Sequence, residues 1–198
     1  MLVAIAGDQP AQTISSRQYM IYFVRHGEAE AGWGTAPDPG LSALGLKQAK
    51  AVAAELGKQS ASQIIASPMR RCQETSRPFA STSGLQVATD PAVSEIPTLE
   101  GLSDRVEWLR GFMSGNWDAA PTVVADWRSD LISRLATIEN DTVVFSHFIA
   151  INTIVGHLEG SDLVTSFRPG HCSVTVLKRE GDKLSVERRG SEAATRVL

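Results

Sequence analysis

At 198 residues, with 42% hydrophobic and 21% charged side chains, the chain can bury one sizeable core and has the composition of a soluble globular protein. A net charge of −3 argues against nucleic acid as the main partner, because a phosphate backbone needs a basic footprint. No apolar run approaches membrane-spanning length, and Met1 to Gly7 lack the basic start and full apolar stretch of a secretory signal, so a cytoplasmic protein with no membrane partner is expected.

The first 18 residues are expected to form an N-terminal extension, its polar stretch 8–18 a mobile arm or a poorly paired segment, ahead of a single domain over 19–198. Met20-Ile21-Tyr22-Phe23-Val24 is apolar and rich in β-formers, which predicts a buried strand. Arg25-His26-Gly27-Glu28 follows it. An arginine and a histidine there are badly placed for packing but well placed for chemistry, since open α/β sheets bind ligands at the carboxyl ends of their strands. Gly27 is expected to let the backbone approach a ligand. Gly32 and Gly34 are followed by Pro37 and Pro39 rather than a helix, so they do not make a dinucleotide loop.

Ser42 is a candidate N-cap, after which Leu46, Ala49, Ala53 and Leu56 share one helical face and Gly57 ends the helix. Strands are expected at 63–66, 85–88, 142–146 and 173–178, with a weaker one at 184–188. Helices are expected over 69–82, from about Pro121 through Val124, Trp127, Leu131, Leu135 and Ile138, and after His147 through Ile151, Ile154, Val155 and Leu158. Glu180-Gly181-Asp182-Lys183 reads as a hairpin turn, and Asn140-Asp141-Thr142 as a turn rather than a glycosylation site. The pattern implies an α/β fold: a mostly parallel sheet with helices on both faces and an antiparallel edge near the C-terminus. From Ser94 to Ala120 the rhythm breaks. Trp108, Phe112, Met113 and Trp117 suggest a small helical insert over the carboxyl end of the sheet, serving either as a lid or as ordinary packing.

Several residues suit phosphoryl transfer, which needs a nucleophile, cations for the phosphate oxygens and an acid for the leaving oxygen. His26 can be a neutral nucleophile, its neutral form favoured by nearby arginines. Arg25 suits a phosphate clamp. His147 sits at a strand-to-helix junction, where backbone N–H groups favour an anion. Arg70 and Arg71 diverge by about 100° on a helix, so only one can enter a pocket. His157 and His171 read as surface or hydrogen-bonded histidines, the second within reach of a site rim. No His, Asp or Glu pattern has a recognised metal spacing, and no cofactor is expected. Cys72 and Cys172 form no CxxC pair; two free thiols are the favoured reading, with a disulfide between them left open.

Arg25–Glu28 is followed by Asp38-Pro39-Gly40-Leu41-Ser42-Ala43-Leu44-Gly45-Leu46-Lys47-Gln48-Ala49. Next come Ala66-Ser67-Pro68-Met69-Arg70-Arg71-Cys72-Gln73-Glu74-Thr75, then Val93-Ser94-Glu95-Ile96, then Val143-Val144-Phe145-Ser146-His147. In this order the segments resemble the histidine phosphatase superfamily, or phosphoglycerate mutase-like family, over about residues 20 to 178. The resemblance implies catalytic roles for His26, Arg25, Arg71, His147 and Glu95, with His26 transiently phosphorylated. It gives the clamp to Arg71 and leaves Arg70 a surface charge. Arg25, Arg71, His147, Glu28 and Phe148 are the expected substrate-binding residues. Glu95 matches the family's acid position, but the shortened Pro97-Thr98-Leu99-Glu100-Gly101 makes Glu100 a rival and Glu28 a weaker one. Phe148 stands where many relatives have glycine, and 29–34 lacks the hydroxyl and amide side chains common in mutases.

The function these features imply is a small, cofactor-independent phosphohydrolase. It would act on phosphate monoesters, or on a phosphorylated protein side chain, through a phosphohistidine. The alternatives are a phosphomutase of the same family and a non-catalytic binder of phosphorylated ligands. The partner in each case is a phosphorylated small molecule or phosphoprotein. Neither the particular substrate nor the oligomeric state is legible in the sequence.

Overall fold

The computed structural model describes residues 18–31 and 36–193. Residues 1–17 of the expected extension lie outside these, as do Gly32 and Gly34; Gln18 opens the first strand. The chain runs β1 (Gln18–Arg25), α1 (Ala43–Leu56), β2 (Gln63–Ala66), α2 (Arg70–Ser83), β3 (Val87–Thr89), α3 (Arg105–Met113), α4 (Thr122–Ala136), β4 (Thr142–Ser146), α5 (Phe148–Glu159), β5 (Val174–Glu180) and β6 (Lys183–Arg188). The six strands form one sheet in the order β3-β2-β4-β1-β5-β6. The first four are parallel, and β5 and β6 add an antiparallel edge.

Side-chain alternation along the strands sorts the core onto two faces. Ile21, Phe23, Ile65, Val144 and Leu177 pack against Leu131 and Leu135 of α4 and Ile151, Ile154 and Val155 of α5. Tyr22, Val24, Ile64, Val143 and Phe145 point the other way, onto Val52 and Leu56 of α1 and Cys72 and Phe79 of α2. The insert makes a third cluster in which Ile96, Leu109, Phe112 and Trp117 close over Phe148 and Ile149, at the carboxyl end of the sheet. Trp108 and Phe112 stack with centroids 5.2 Å apart, so the insert's aromatics are packing residues.

Some details differ from the sequence reading. Leu46 is 49% exposed, because Gly45, one position round α1, makes the close approach to the rest of the molecule. A Cβ on Gly45 would lie 2.1 Å from the carbonyl oxygen of Glu28, and one on Gly27 would lie 2.8 Å from that of Gly45. Gly27 therefore allows the close approach of the loop after β1 to α1. The third strand begins at Val87 rather than 85, after a left-handed cap at Gly84. Ile138 lies beyond the end of α4, yet is buried.

Candidate active site

Register brings the two histidines together. Arg25 pairs with Ser146 across β1 and β4, so His26 and His147 leave adjacent parallel strands at the same level. The backbone N–H of His26 donates to Ser146 O (3.0 Å), and the rings meet edge to face with centroids 5.3 Å apart. The next strand, β2, ends at Ala66, opposite Phe145, and Ser67 follows, 2.8 Å from His147 Nε2.

Tautomers follow from what each ring nitrogen faces. His26 Nδ1 is 2.8 Å from Gly27 O, which can only accept, so Nδ1 carries the proton and Nε2 keeps its lone pair. His147 Nδ1 faces Arg71 Nη2 at 3.2 Å, which can only donate, so the proton of the neutral ring sits on Nε2 and points to Ser67 Oγ. Burial is the main force holding His26 well below the usual histidine range; His147, Arg71 and Arg25 push the same way. The arginines expected to keep it neutral therefore act second to desolvation. His147 is lowered for the same reasons, burial first and then Arg71 and Arg25.

Arg71 is buried beneath the first turn of α2, while Arg70 points into solvent and pairs with Glu74 at 2.8 Å, one turn along the helix. Arg25 donates from Nη1 to Pro169 O (2.9 Å), and its Nη2 lies 3.0 Å from His171 Nε2. Burial lowers its pKa to about 10. Its Cζ sits 5.2 Å from the centroid of the Phe148 ring, which is buried under the site.

Glu95 is buried, whereas Glu100 is exposed. Ser146 Oγ donates to Val93 O (2.7 Å) and so anchors the turn that delivers Glu95. Glu95 Oε1 accepts from the backbone N–H groups of Ile96 (3.1 Å) and Ile149 (3.2 Å). The start of α5, expected to meet a bound anion, thus meets this carboxyl. Burial raises its pKa, against the opposing pull of the Ile96 N–H, Arg71, the Ile149 N–H and Arg25. Glu28 sits at the rim, where its Oε1 receives the hydroxyl of Ser42, the N-cap of α1.

The structure also brings in Thr75, Arg105 and Cys72, to which the sequence assigned no role, and His171, expected no nearer than the rim. Thr75 Oγ1 accepts the backbone N–H of Gly27 (3.0 Å) and donates to Arg71 O (2.6 Å), joining the two motifs. His171 reaches Arg25, and its ring lies 5.9 Å from that of His26. Arg105, from the insert, hydrogen-bonds weakly to Ile96 O at 3.5 Å, and its pKa is lowered by burial and Arg71 against the pull of Glu95. Cys72 is buried beside His147, and burial pushes its thiol well above the usual range. Both cysteines are free. Among the described residues no group of three or more His, Cys, Asp or Glu could hold a metal ion, and no helix is long and apolar enough to cross a membrane.

The fold and this pair of facing histidines agree with the comparison by family: residues 21–192 match the Histidine phosphatase superfamily (branch 1), and the chain belongs to it. An uncharacterized protein of Mycobacterium tuberculosis (strain ATCC 25618 / H37Rv) is 32% identical over 185 residues, covering 83% of this chain and 92% of that one. Among solved structures, a mycobacterial glucosyl-3-phosphoglycerate phosphatase aligns with TM-score 0.65 at 22% identity, over 89% of this chain and 100% of that one. The phosphoglycerate mutase of Bacillus anthracis str. Sterne aligns with TM-score 0.69 at 18% identity, over 88% and 94%. At these identities the two structures speak for the fold alone; they include a phosphatase and a mutase.

Proposed function

We propose that the protein hydrolyses phosphate monoesters through a phosphohistidine formed on His26. The observation that carries this reading is the state of His26: a buried, neutral ring with Nε2 unprotonated, in a pocket with two guanidinium groups. Nε2 attacks phosphorus, and the bond from phosphorus to the ester oxygen breaks. Arg25 and Arg71 take the charge on the phosphoryl oxygens, Arg71 exchanging its contact with His147 for the ligand. His147, held low by burial first and then by the same cations, gains proton affinity beside a phosphate dianion and can then donate to it.

Glu95, favoured in its protonated form by burial, gives its proton to the departing alkoxide. Its carboxylate next takes a proton from water. The resulting hydroxide attacks phosphorus, the bond to Nε2 breaks, and inorganic phosphate and neutral His26 are released. Burial favours Glu95 over the exposed Glu100 for this role. Glu28 braces the loop after His26 through Ser42, and the Phe148 ring supports Arg25 from below.

The test is trapping with a labelled aryl phosphate by a denaturing alkaline quench, followed by acid and base treatment of the labelled protein. Wild type should carry an acid-labile, base-stable phosphoryl group, and His26→Ala should lose both the label and turnover while keeping its fold by circular dichroism. Turnover of p-nitrophenyl phosphate near the wild-type rate by folded His26→Ala would exclude the mechanism.

A further inference from the structure

A cleft of about 740 Å³ lies one aromatic ring away from the phosphate pocket. Phe148 is the shared wall: it lines the cleft, and its ring carries the Arg25 guanidinium 5.2 Å from its centroid. One side of the cleft comes from the insert, with Arg110 and Met113, and the other from the loop after α5, with Leu163, Phe167 and Arg168.

The two sides are fastened to each other. Trp117 N donates to Asp162 O (2.9 Å) and Val164 N to Gly115 O (3.1 Å), a short antiparallel bridge between insert and loop. Buried Asn152 of α5 accepts the backbone N–H groups of Ser166 (2.9 Å) and Phe167 (3.1 Å) and holds the loop from beneath. The cleft is therefore preformed, as small-molecule sites generally are.

Its chemistry is amphipathic. Neither Arg110 nor Arg168 is in an ion pair among the described residues. Thr165 Oγ1 and Ser166 Oγ, also on the lining, have no hydrogen-bond partner among the described residues. The lining carboxylate, Glu192, is engaged by the backbone N–H of Arg168 (3.0 Å), so two guanidinium groups face one carboxylate. Apolar walls with unpaired guanidinium groups and hydroxyls suit a ligand with an apolar middle and an anionic end.

Resting on the phosphomonoesterase reading above, we propose that this cleft binds the leaving group of the substrate. The preferred substrate is then a phosphate monoester whose alcohol bears an apolar spacer and a second anionic group held by Arg110 and Arg168.

The test compares three series at increasing spacer length: n-alkyl phosphates, ω-carboxyalkyl phosphates and α,ω-alkanediol bisphosphates. At one spacer length the wild type should show kcat/KM roughly tenfold higher for a charged tail than for the plain alkyl chain, the scale of one charge-assisted hydrogen bond. The carboxylate and bisphosphate series report which anion is preferred. Arg110→Ala and Arg168→Ala should each shrink that preference and together remove it, the loss falling on the charged tails far more than on the plain n-alkyl phosphate of the same length. Equal rates for charged and uncharged tails, or a preference that survives in the double variant, would overturn the assignment. If no ester is turned over, p-nitrophenyl phosphate included, the phosphatase reading fails on its own, and calorimetry with the same compounds decides the cleft. Tighter binding of charged tails, lost in the double variant, supports it, and equal affinities exclude it.

Discussion

Arg25 Nη2 lies 3.0 Å from Nε2 of His171, and Arg25 Nη1 lies 2.9 Å from Pro169 O. A guanidinium only donates, so His171 accepts and its ring is neutral at Nε2. No carboxylate lies within ion-pair distance of Arg25 among the described residues. Two neutral acceptors thus orient the cation without cancelling its charge, which leaves that charge for a phosphate.

His171 is on this reading a positioning residue. His171→Ala should weaken competitive inhibition by inorganic phosphate about tenfold, the lower end for a hydrogen bond to a charged group. His171→Gln, which restores a neutral acceptor at similar reach, should recover most of the loss, and His171→Asp should not, because its charge neutralises Arg25. Equal inhibition constants for the Ala and Gln variants would remove this role. Burial first, then Arg25, lowers the His171 pKa to about 4 against an ordinary 6.5, with Glu28 opposing. The unfolded chain therefore takes up this proton first, and the contribution to stability declines as pH falls from 6.5 through about 4.

Arg71 and Arg70 are neighbours with opposite fates. Arg71→Ala should lower kcat/KM by about tenfold to hundredfold, as expected for a charge-assisted contact to the transferring group. Arg70→Ala removes surface pairs with Glu74 (2.8 Å) and Glu30 (3.9 Å) and should leave the kinetics as they are. Steady-state rates on p-nitrophenyl phosphate decide between them, and the reverse order would place the wrong arginine in the pocket.

Glu95→Gln should be felt through the leaving group. An alkyl phosphate leaves as a basic alkoxide and needs the proton, so its hydrolysis should slow by about 10²–10⁴-fold. A nitrophenolate needs little help and should slow much less. Equal losses on the two substrates would move the acid elsewhere.

Gly45→Ala sets two effects against each other. In an ordinary helix interior alanine is better than glycine by roughly 1 kcal/mol. Here its Cβ would press to 2.1 Å from the carbonyl oxygen of Glu28, a backbone atom that cannot swing away. Overpacking of this kind costs about 1–3 kcal/mol, so the urea midpoint should fall and activity with it, since the displaced loop begins at His26. A raised midpoint would show that α1 can back away freely.

The strands β2 and β4 stand at the bounds their composition predicts, because a short apolar, β-rich run between polar turns is a local signal. His26, Arg71, Glu95 and His147 were legible because each stands in a motif whose order is written along the chain, and the structure gathers all four into one pocket. Ser67 and Thr75 were not, and His171 was legible only as a histidine within reach of the site rim. Their partners are 80, 48 and 146 residues away, and nothing local to a serine, a threonine or a histidine announces such a contact. Leu46 misled for the same reason: its apolar character is local, but which face of α1 turns inward is set by the approach of Gly45 to Glu28.

The amino-acid sequence by itself determined the alternation of strands and helices, the residues that leave the carboxyl ends of the strands, and the family. Periodicity and short motifs act within a few residues of themselves. Only the tertiary structure decided which nitrogen of His26 is free and that burial, ahead of the arginines, lowers its pKa, that burial raises the pKa of Glu95, and that His171 rather than a carboxylate steadies Arg25. Those are consequences of desolvation and of register between strands far apart in the chain, and both exist only once the sheet has closed.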